Sequence, residues 1–262
     1  MTLTPSAEEQ GSLWGMRARD WSELQEPVVR PAHQRVLDRR ELRGGMSLLD
    51  VGCGAGLATQ LARDAGCRIS GIDASQPLLA VARERVPDGD FRRGELLSLP
   101  WDDAAFDVVT GFNSFQYATD PVAALTEARR VMKAGGRLGV VVWGSADECE
   151  AVAHFTALRA LITPPPPPGG PAPLADEQRI AEMVSAAGFV VTSDERVDCP
   201  WHYPDLDTAL RALKSAGPVA RYIDRVGETA VDAALTGCLK NFQQPDGSYL
   251  FRNKFRALTA RS

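Results

Sequence analysis

Between residues 46 and 143 short apolar runs alternate with amphipathic stretches. Ser47–Val51 reads as a strand, Leu57–Ala65 as a helix ended by Gly66, and Arg68–Ile72 as a second strand. Ser75 can cap a helix that carries Pro77 in its first turn and runs to about Arg85. Phe91–Arg93 reads as a short third strand, and Phe106–Gly111 as a fourth, apolar enough to be buried on both faces. Asp120-Pro121 starts a helix with Leu125, Ala128 and Met132 on one face and Gly135-Gly136 as its stop; Arg137–Trp143 is a fifth strand. This alternation argues for a parallel sheet covered on both faces, with right-handed crossovers gathering the strand C-terminal ends on one rim. The expected fold class is α/β, an open doubly wound sheet that binds its ligand at that rim.

The flanks differ in character. Residues 1–43 read as amphipathic helices carrying Trp14 and Trp21, and are expected to form a helical lid over a cofactor-binding core at 44–145. Cys149–Ile162 reads as a helix, followed by the stiff, extended run TPPPPPGGPAP; residues 146–187 are assigned to a cap. Ile180–Ala187 is helical and Phe189–Val197 alternates as a strand. Leu206–Leu239 holds two or three helices interrupted at Gly217-Pro218 and Gly227, and Tyr249–Ala260 reads as one last strand. Residues 188–262 thus return to the sheet, with cap helices inserted at about 205–240.

Charge narrows the partners. Lys and Arg number 29 against 34 Asp and Glu, a net charge of −5, and no basic run offers the surface that phosphates need. Nucleic acid is therefore not expected. The five cysteines form no CxxC pair, which suits reduced thiols better than disulfides or a metal site. The acidic, polar first fifteen residues do not read as a signal peptide, and no apolar run approaches the roughly 18 residues of a membrane span. A cytoplasmic protein with no metal and no membrane contact is the expectation.

The chemistry concentrates in LLDVGCGAG, residues 48–56, where three glycines crowd a strand-to-helix corner. Glycine permits positive φ there and lets a ligand touch bare backbone, while the helix start offers unpaired N–H groups. A dinucleotide fingerprint needs its third glycine at position 57, which is leucine, and a P-loop needs a GK[ST] that is missing. The arrangement D-x-G-x-G-x-G from Asp50 resembles motif I of the class I S-adenosylmethionine-dependent methyltransferases. Further pieces follow in order: GIDAS with Asp73, GELLSLPWDDAAFDVV, FNSFQYATDP and ALTEARRVMKAGGRLGVVVW.

That resemblance implies a seven-stranded sheet with its last strand antiparallel, S-adenosylmethionine as cofactor and S-adenosylhomocysteine as product. It places Asp50, Gly52, Cys53, Gly54 and Gly56 around the cofactor, with Asp73 on the ribose hydroxyls and Ala74 beside it. Leu78 stands where the family packs an apolar side chain on the adenine. Glu95 stands where an acid accepts the adenine amino group, with the Leu96 N–H adjacent. Phe112 and Asn113 are candidates to hold the methionyl amine, and Gln116 and Tyr117 to border the transferred methyl. Trp21 and Arg17 are candidates to close on the methionyl carboxylate.

Methyl transfer is an in-line displacement that alignment and exclusion of water can largely drive, so a general base is optional. Of the three histidines, His202 in DCPWHYP is the first candidate base. His33 on the N-terminal helix and His154 after the fifth strand carry no local signature. Trp14, Trp21, Trp201, Tyr203 and Tyr222 suit a lid over an aromatic or lipophilic small molecule, and equally suit core packing. The expected function is transfer of a methyl group to a small-molecule O, N or C nucleophile. The alternatives are a protein that keeps the cofactor pocket but catalyses a rearrangement or only binds a partner, and, disfavoured by the glycine spacing, an NAD-dependent oxidoreductase.

Overall fold

The computed structural model describes residues 3–38, 42–163 and 179–262. The proline run expected to be extended lies outside the described residues. The N-terminal segment comprises α1 (Pro5–Gly15), the short α2 (Ala18–Asp20), a π-helical turn at Trp21–Gln25, a 3-10 turn at Glu26–Val29 and α3 (Arg30–Asp38). The core follows as β1 (Ser47–Val51), α4 (Leu57–Asp64), β2 (Arg68–Asp73), α5 (Gln76–Arg85), β3 (Asp90–Arg93), β4 (Phe106–Phe112), α6 (Pro121–Arg130) and β5 (Met132–Trp143). Then come α7 (Val152–Arg159), α8 (Arg179–Ala186), β6 (Val190–Asp198), β7 (Trp201–Tyr203), α9 (Leu206–Lys214), α10 (Gly217–Val226), α11 (Glu228–Leu239), β8 (Tyr249–Phe251) and β9 (Lys254–Arg261).

Seven strands form one sheet in the order β3-β2-β1-β4-β5-β9-β6. The β1–β2, β1–β4, β2–β3 and β4–β5 pairs are parallel, while β9 runs antiparallel between β5 and β6. Strand alternation splits the apolar residues between two cores. Leu48, Val108 and Val141 pack on one face with Ala32 and Val36 of α3, and Leu49, Val51, Val109 and Val140 on the other with Leu125 and Val184.

Three boundaries differ from expectation, two of them for a non-local reason. Gly135-Gly136 does not end a helix: α6 stops at Arg130 and β5 already begins at Met132, which pairs with Phe106 before the register shifts toward Val108. The apolar Val131 and Met132 are buried, and the Val131 carbonyl already accepts from the Ala105 and Phe106 N–H groups at 2.8 and 3.0 Å. The expected last strand is two. β8 pairs with β7 in a separate two-stranded sheet, and the chain turns at buried Asn253 to enter the main sheet as β9. Asn253 stabilises that turn because its side-chain oxygen accepts from Ala151 N–H at 3.0 Å and its carbonyl from Cys199 N–H at 2.8 Å. The helix expected from Cys149 starts only at Val152, after a 3-10 turn at Ala146–Glu148 closed by a Ser145–Glu148 capping box.

The N-terminal segment lies across the β2–α5 corner. Gly11 allows this close approach: a Cβ there would sit 2.5 Å from the Ala74 carbonyl oxygen. At the end of β4, Gly111 does the same for the following loop, since a Cβ would overlap the fully buried Phe115 ring. Gly111→Ala is expected to destabilise the protein by about 1–3 kcal/mol through overpacking. At about 2–4 °C per kcal/mol for a chain of this size, thermal unfolding should show a fall of several degrees. An unchanged Tm would mean that the ring yields freely.

Candidate active site

A cavity of about 490 Å³ opens at the C-terminal rim of the sheet, between the strand tips and the N-terminal segment. Its floor is the glycine corner. Gly52 and Cys53 donate their N–H groups to the Ile72 carbonyl at 2.8 and 2.9 Å, tying the tip of β1 to β2. Gly52 has φ +77° and Gly54 φ +54°, a backbone that other residues adopt only under strain. A Cβ on Gly52 would overlap Ser114, whereas one on Gly54 would point into the cavity, no nearer than 3.6 Å to Glu26 Oε1. Gly56 does not line the cavity. It precedes α4, and a Cβ on it would come within 3.0 Å of Ala82, so its role is helix packing.

Three carboxylates face this corner. Asp73 is held by its backbone surroundings: Gly54 N–H donates to Oδ2 at 2.9 Å and Ser75 N–H to Oδ1 at 2.8 Å. Burial nevertheless pushes its carboxyl above the ordinary range, partly offset by those bonds. Asp50 is 2% exposed, with the Thr110 hydroxyl donating to Oδ1 at 2.7 Å. Burial pushes it up to about 7; the Thr110 bond opposes this, and the charges of Glu26 and Asp73 add to it. Glu26, which sequence reasoning missed, is buried and ion-paired with Arg85, and Leu57 N–H donates to its Oε1 at 3.4 Å. Burial pushes Glu26 up against the pull of Arg85. A cation entering the cavity would stabilise all three as carboxylates.

Along the wall toward β3, Ala74, Leu78, Glu95 and Leu96 line the cavity. Glu95 Oε2 accepts from the Thr4 hydroxyl at 2.7 Å and from Thr4 N–H at 3.2 Å, fastening the start of α1 over this wall. Trp21 lines the roof and meets Trp14 edge to face at 4.7 Å. Arg17 does not line the cavity: it is paired with Glu228 of α11 at 2.7 Å, because α1 and α2 turn that side chain toward the helical insert.

The end of β4 supplies Phe112 to the wall, and the loop after it Asn113, Ser114 and Tyr117. Asn113 has φ +51°, and its N–H donates to Val141 at 2.7 Å. Its side-chain oxygen and the Ser114 hydroxyl are enclosed without a hydrogen-bond partner among the described residues. Gln116 does not line the cavity; it is the middle residue of the 3-10 turn at Phe115–Tyr117, and its enclosed amide has no hydrogen-bond partner among the described residues. Burial pushes the Tyr117 phenol up, so it stays protonated.

Beyond β4 the cavity becomes aromatic, with Trp143, Phe155, Trp201, Tyr222 and Phe255. Tyr203 does not line it; its hydroxyl donates to Gln25 at 2.6 Å in the core. The histidines reverse the sequence ranking. His202 is exposed on β7 and does not line the cavity, because strand alternation turns it away from buried Trp201 and Tyr203. His33 and His154 are buried and line it. His33 stacks on Phe112 at 4.4 Å between ring centres, and His154 lies 6.3 Å from Trp201. Burial pushes His33 down to about 3, with Arg30 adding to the effect, and His154 down to about 4. The one signal that could have found His33 is its spacing: Glu26, Val29 and His33 fall three and four residues apart, one helical face.

Among the described residues no group of three or more His, Cys, Asp or Glu is placed to hold a metal ion, and no helix is long and apolar enough to cross a membrane. All five cysteines are free.

Comparison with known proteins agrees with this geometry. Residues 49–140, the span from β1 into β5, match the family described as Methyltransferase domain. A malonyl-(acyl-carrier protein) O-methyltransferase of Serratia marcescens is 34% identical over 209 residues, 76% of this chain and 74% of that protein. A 27-O-demethylrifamycin SV methyltransferase of Amycolatopsis mediterranei is 30% identical over 197 residues, 70% of this chain and 64% of its own length. Four other curated relatives match over only 32% to 41% of their length. The crystal structure of the 4+2 cyclase SpnF superposes with TM-score 0.56 at 29% identity, covering 88% of this chain and 80% of that one. The glycine corner beneath converging acids and the extent of the Serratia match lead to one assignment: the chain belongs to the class I S-adenosylmethionine-dependent methyltransferases.

Proposed function

We propose that this methyltransferase acts on an oxygen of an uncharged, largely apolar small molecule bound in the aromatic half of the cavity. The observation that carries this reading is the continuity of one cavity from an acid-rich glycine corner to a chamber of aromatic rings. Its volume of about 490 Å³ lies within the range typical of small-molecule sites. The names of the Serratia and Amycolatopsis relatives both specify methylation at oxygen.

The residues present fit S-adenosylmethionine. Gly54 leaves bare backbone where a Cβ would enter the cavity, Asn113 Oδ1 and Ser114 Oγ are buried polar atoms awaiting partners, and the acids suit a cationic ligand. When bound, this cofactor supplies an electrophilic methyl group on a positively charged sulfur. Asp73 would take the ribose hydroxyls, using the carboxylate lone pairs that Gly54 and Ser75 leave free. Glu95 and the Leu96 N–H would hold the adenine edge, with Leu78 against its face. The main-chain carbonyls of Phe112 and Asn113 would hold the methionyl amine, near the charge of Asp50. Trp21 and α1, fastened through Thr4 to Glu95, would form the lid that excludes water and strengthens these charge contacts. Helices α7 and α9 to α11 would be the cap that shapes the acceptor chamber.

Asp73→Asn should retain the fold and weaken S-adenosylhomocysteine binding by about 1.5–3 kcal/mol, read by calorimetry; an unchanged affinity would remove Asp73 from the ribose contact. Asp50 gives a pH dependence whose sign follows from its raised value. The folded chain keeps this proton up to about pH 7, whereas the unfolded chain releases it near pH 4, so the empty protein loses stability as pH rises through that window. S-adenosylmethionine, being cationic, should instead bind about tenfold more tightly at pH 8 than at pH 6. In Asp50→Asn both trends should flatten. For the reaction itself, methyl-labelled cofactor incubated with pools of hydroxylated small molecules should pass label to a product. Label retained on the cofactor while a pool component is rearranged would favour the other reading, suggested by the likeness to SpnF.

A further inference from the structure

We propose that His33 accepts the proton released by the acceptor hydroxyl during methyl transfer, while His154 and the Trp201 indole N–H hold the acceptor's distal polar group. The proposal rests on the methyl-transfer reading above.

Position carries the first part. Neighbouring strand tips lie about 4.8 Å apart, and the order β1, β4, β5 sets a direction along the cavity. The glycine corner belongs to β1, Phe112 with the stacked His33 to β4, and Trp143 to β5. Trp143 meets Trp201 at 5.2 Å between ring centres, and Trp201 neighbours His154. His33 therefore stands at the junction of the two halves, and His154 one strand further out. The helical face that presents Glu26 to the glycine corner presents His33 two turns later, with Val29 between them.

Unmet hydrogen bonding carries the second part. His33 Nδ1, His154 Nδ1 and Trp201 Nε1 are enclosed with no hydrogen-bond partner among the described residues. A phenyl ring at each place would pack as well without that penalty. Three such groups lining one cavity are explained together if an acceptor with two polar functions completes them.

Charge makes the proton transfer feasible in a buried site. Arg30 is the charged group on α3 that lowers His33. The elements packed against α3 bring further charges, most of them already paired: Glu26 with Arg85 on the preceding turn, and Arg256 of β9 with Asp194 of β6. Asp50 stands at the end of β1. His33 consequently rests neutral, with a lone pair to offer. As the acceptor oxygen bonds to the methyl carbon, the sulfur–carbon pair stays on sulfur, the O–H pair stays on oxygen, and the proton passes to an imidazole nitrogen. One positive charge leaves the sulfur as another appears on His33, so the cavity's net charge is unchanged and the same carboxylates face both states. His33 becomes more basic as the sulfonium disappears.

The chain has only three histidines, so the test can be read ring by ring. Protein labelled with 15N-imidazole histidine is titrated by NMR from pH 4 to pH 9, once with S-adenosylmethionine and once with S-adenosylhomocysteine. The His33 signal is assigned by its loss in His33→Gln. His33 should stay neutral throughout with the sulfonium ligand and begin to protonate only at the acid end of the range, below about pH 5, with the thioether, a shift of about one pH unit. His202, exposed and off the cavity, should titrate identically in both. His33→Gln should bind S-adenosylhomocysteine within about twofold of wild type by calorimetry. With the acceptor recovered from the labelled pools, it should lose about 10²–10⁴-fold in kcat at unchanged KM. His154→Phe should raise KM for that acceptor and leave the His33 titration as it was. A His33 ring equally protonated at each pH in the two complexes, while calorimetry shows both ligands bound, overturns this assignment and leaves methyl transfer standing. Failure of both ligands to bind overturns the methyl-transfer reading, and this one with it.

Discussion

The Arg85 guanidinium joins the floor and the roof of the site. It pairs with Glu26, and its N–H groups donate to the Ala55 carbonyl at 2.9 Å and the Ser22 carbonyl at 2.6 Å. One side chain from α5 therefore holds both the glycine corner and the segment that covers it. A planar, always-charged fork suits this, since it can satisfy a carboxylate and two carbonyls at once. Removing either member of a buried pair leaves an uncompensated charge, which costs about 3–5 kcal/mol and is far worse than losing a surface bridge. Without Arg85, Glu26 would have no reason to stay buried, and the face that carries Val29 and His33 would lose its anchor.

From that knot follows an unusual charge balance. Asp50, Asp73 and Glu26 are gathered in a poorly solvated corner with one arginine among them, so the empty site holds acids above their ordinary range. The arrangement is costly for the empty protein and favourable once a cation enters. The same logic extends along the cavity. A neutral His33 beside the corner can receive a positive charge only because the carboxylates are already there and because the charge it receives replaces one that has left.

The far half of the cavity is governed by shape. Trp143, Trp201 and Phe255 pack edge to face or tilted at 5.1 to 5.2 Å, and their rings leave few polar edges exposed. Such a chamber discriminates mainly by contact area and by the few polar atoms it leaves unpaired. Within one continuous space, charge therefore dominates on one side of β4 and aromatic surface on the other.

Whatever local geometry enforces could be read from the order of residues alone. Positive φ at Gly52 and Gly54, the Ser75 and Asp120 caps and the period-two and helical apolar patterns are short-range effects, and from them the core strands and helices, the parallel α/β class and the glycine corner with Asp50 beside it were legible. Features that depend on partners far along the chain emerged only in the fold. Arg17 went to Glu228, 211 residues away, rather than to the cavity. The glycines at 135 and 136 entered a strand because Met132 found Phe106, and Asn253 split the last strand by bonding to Ala151 and Cys199. His33 and His154 reached the cavity while His202 did not, since a lone histidine carries no local sign of where its helix or strand will dock. A hydrogen bond or a packed ring across a hundred residues costs the sequence no pattern to encode, so only the folded chain reveals it.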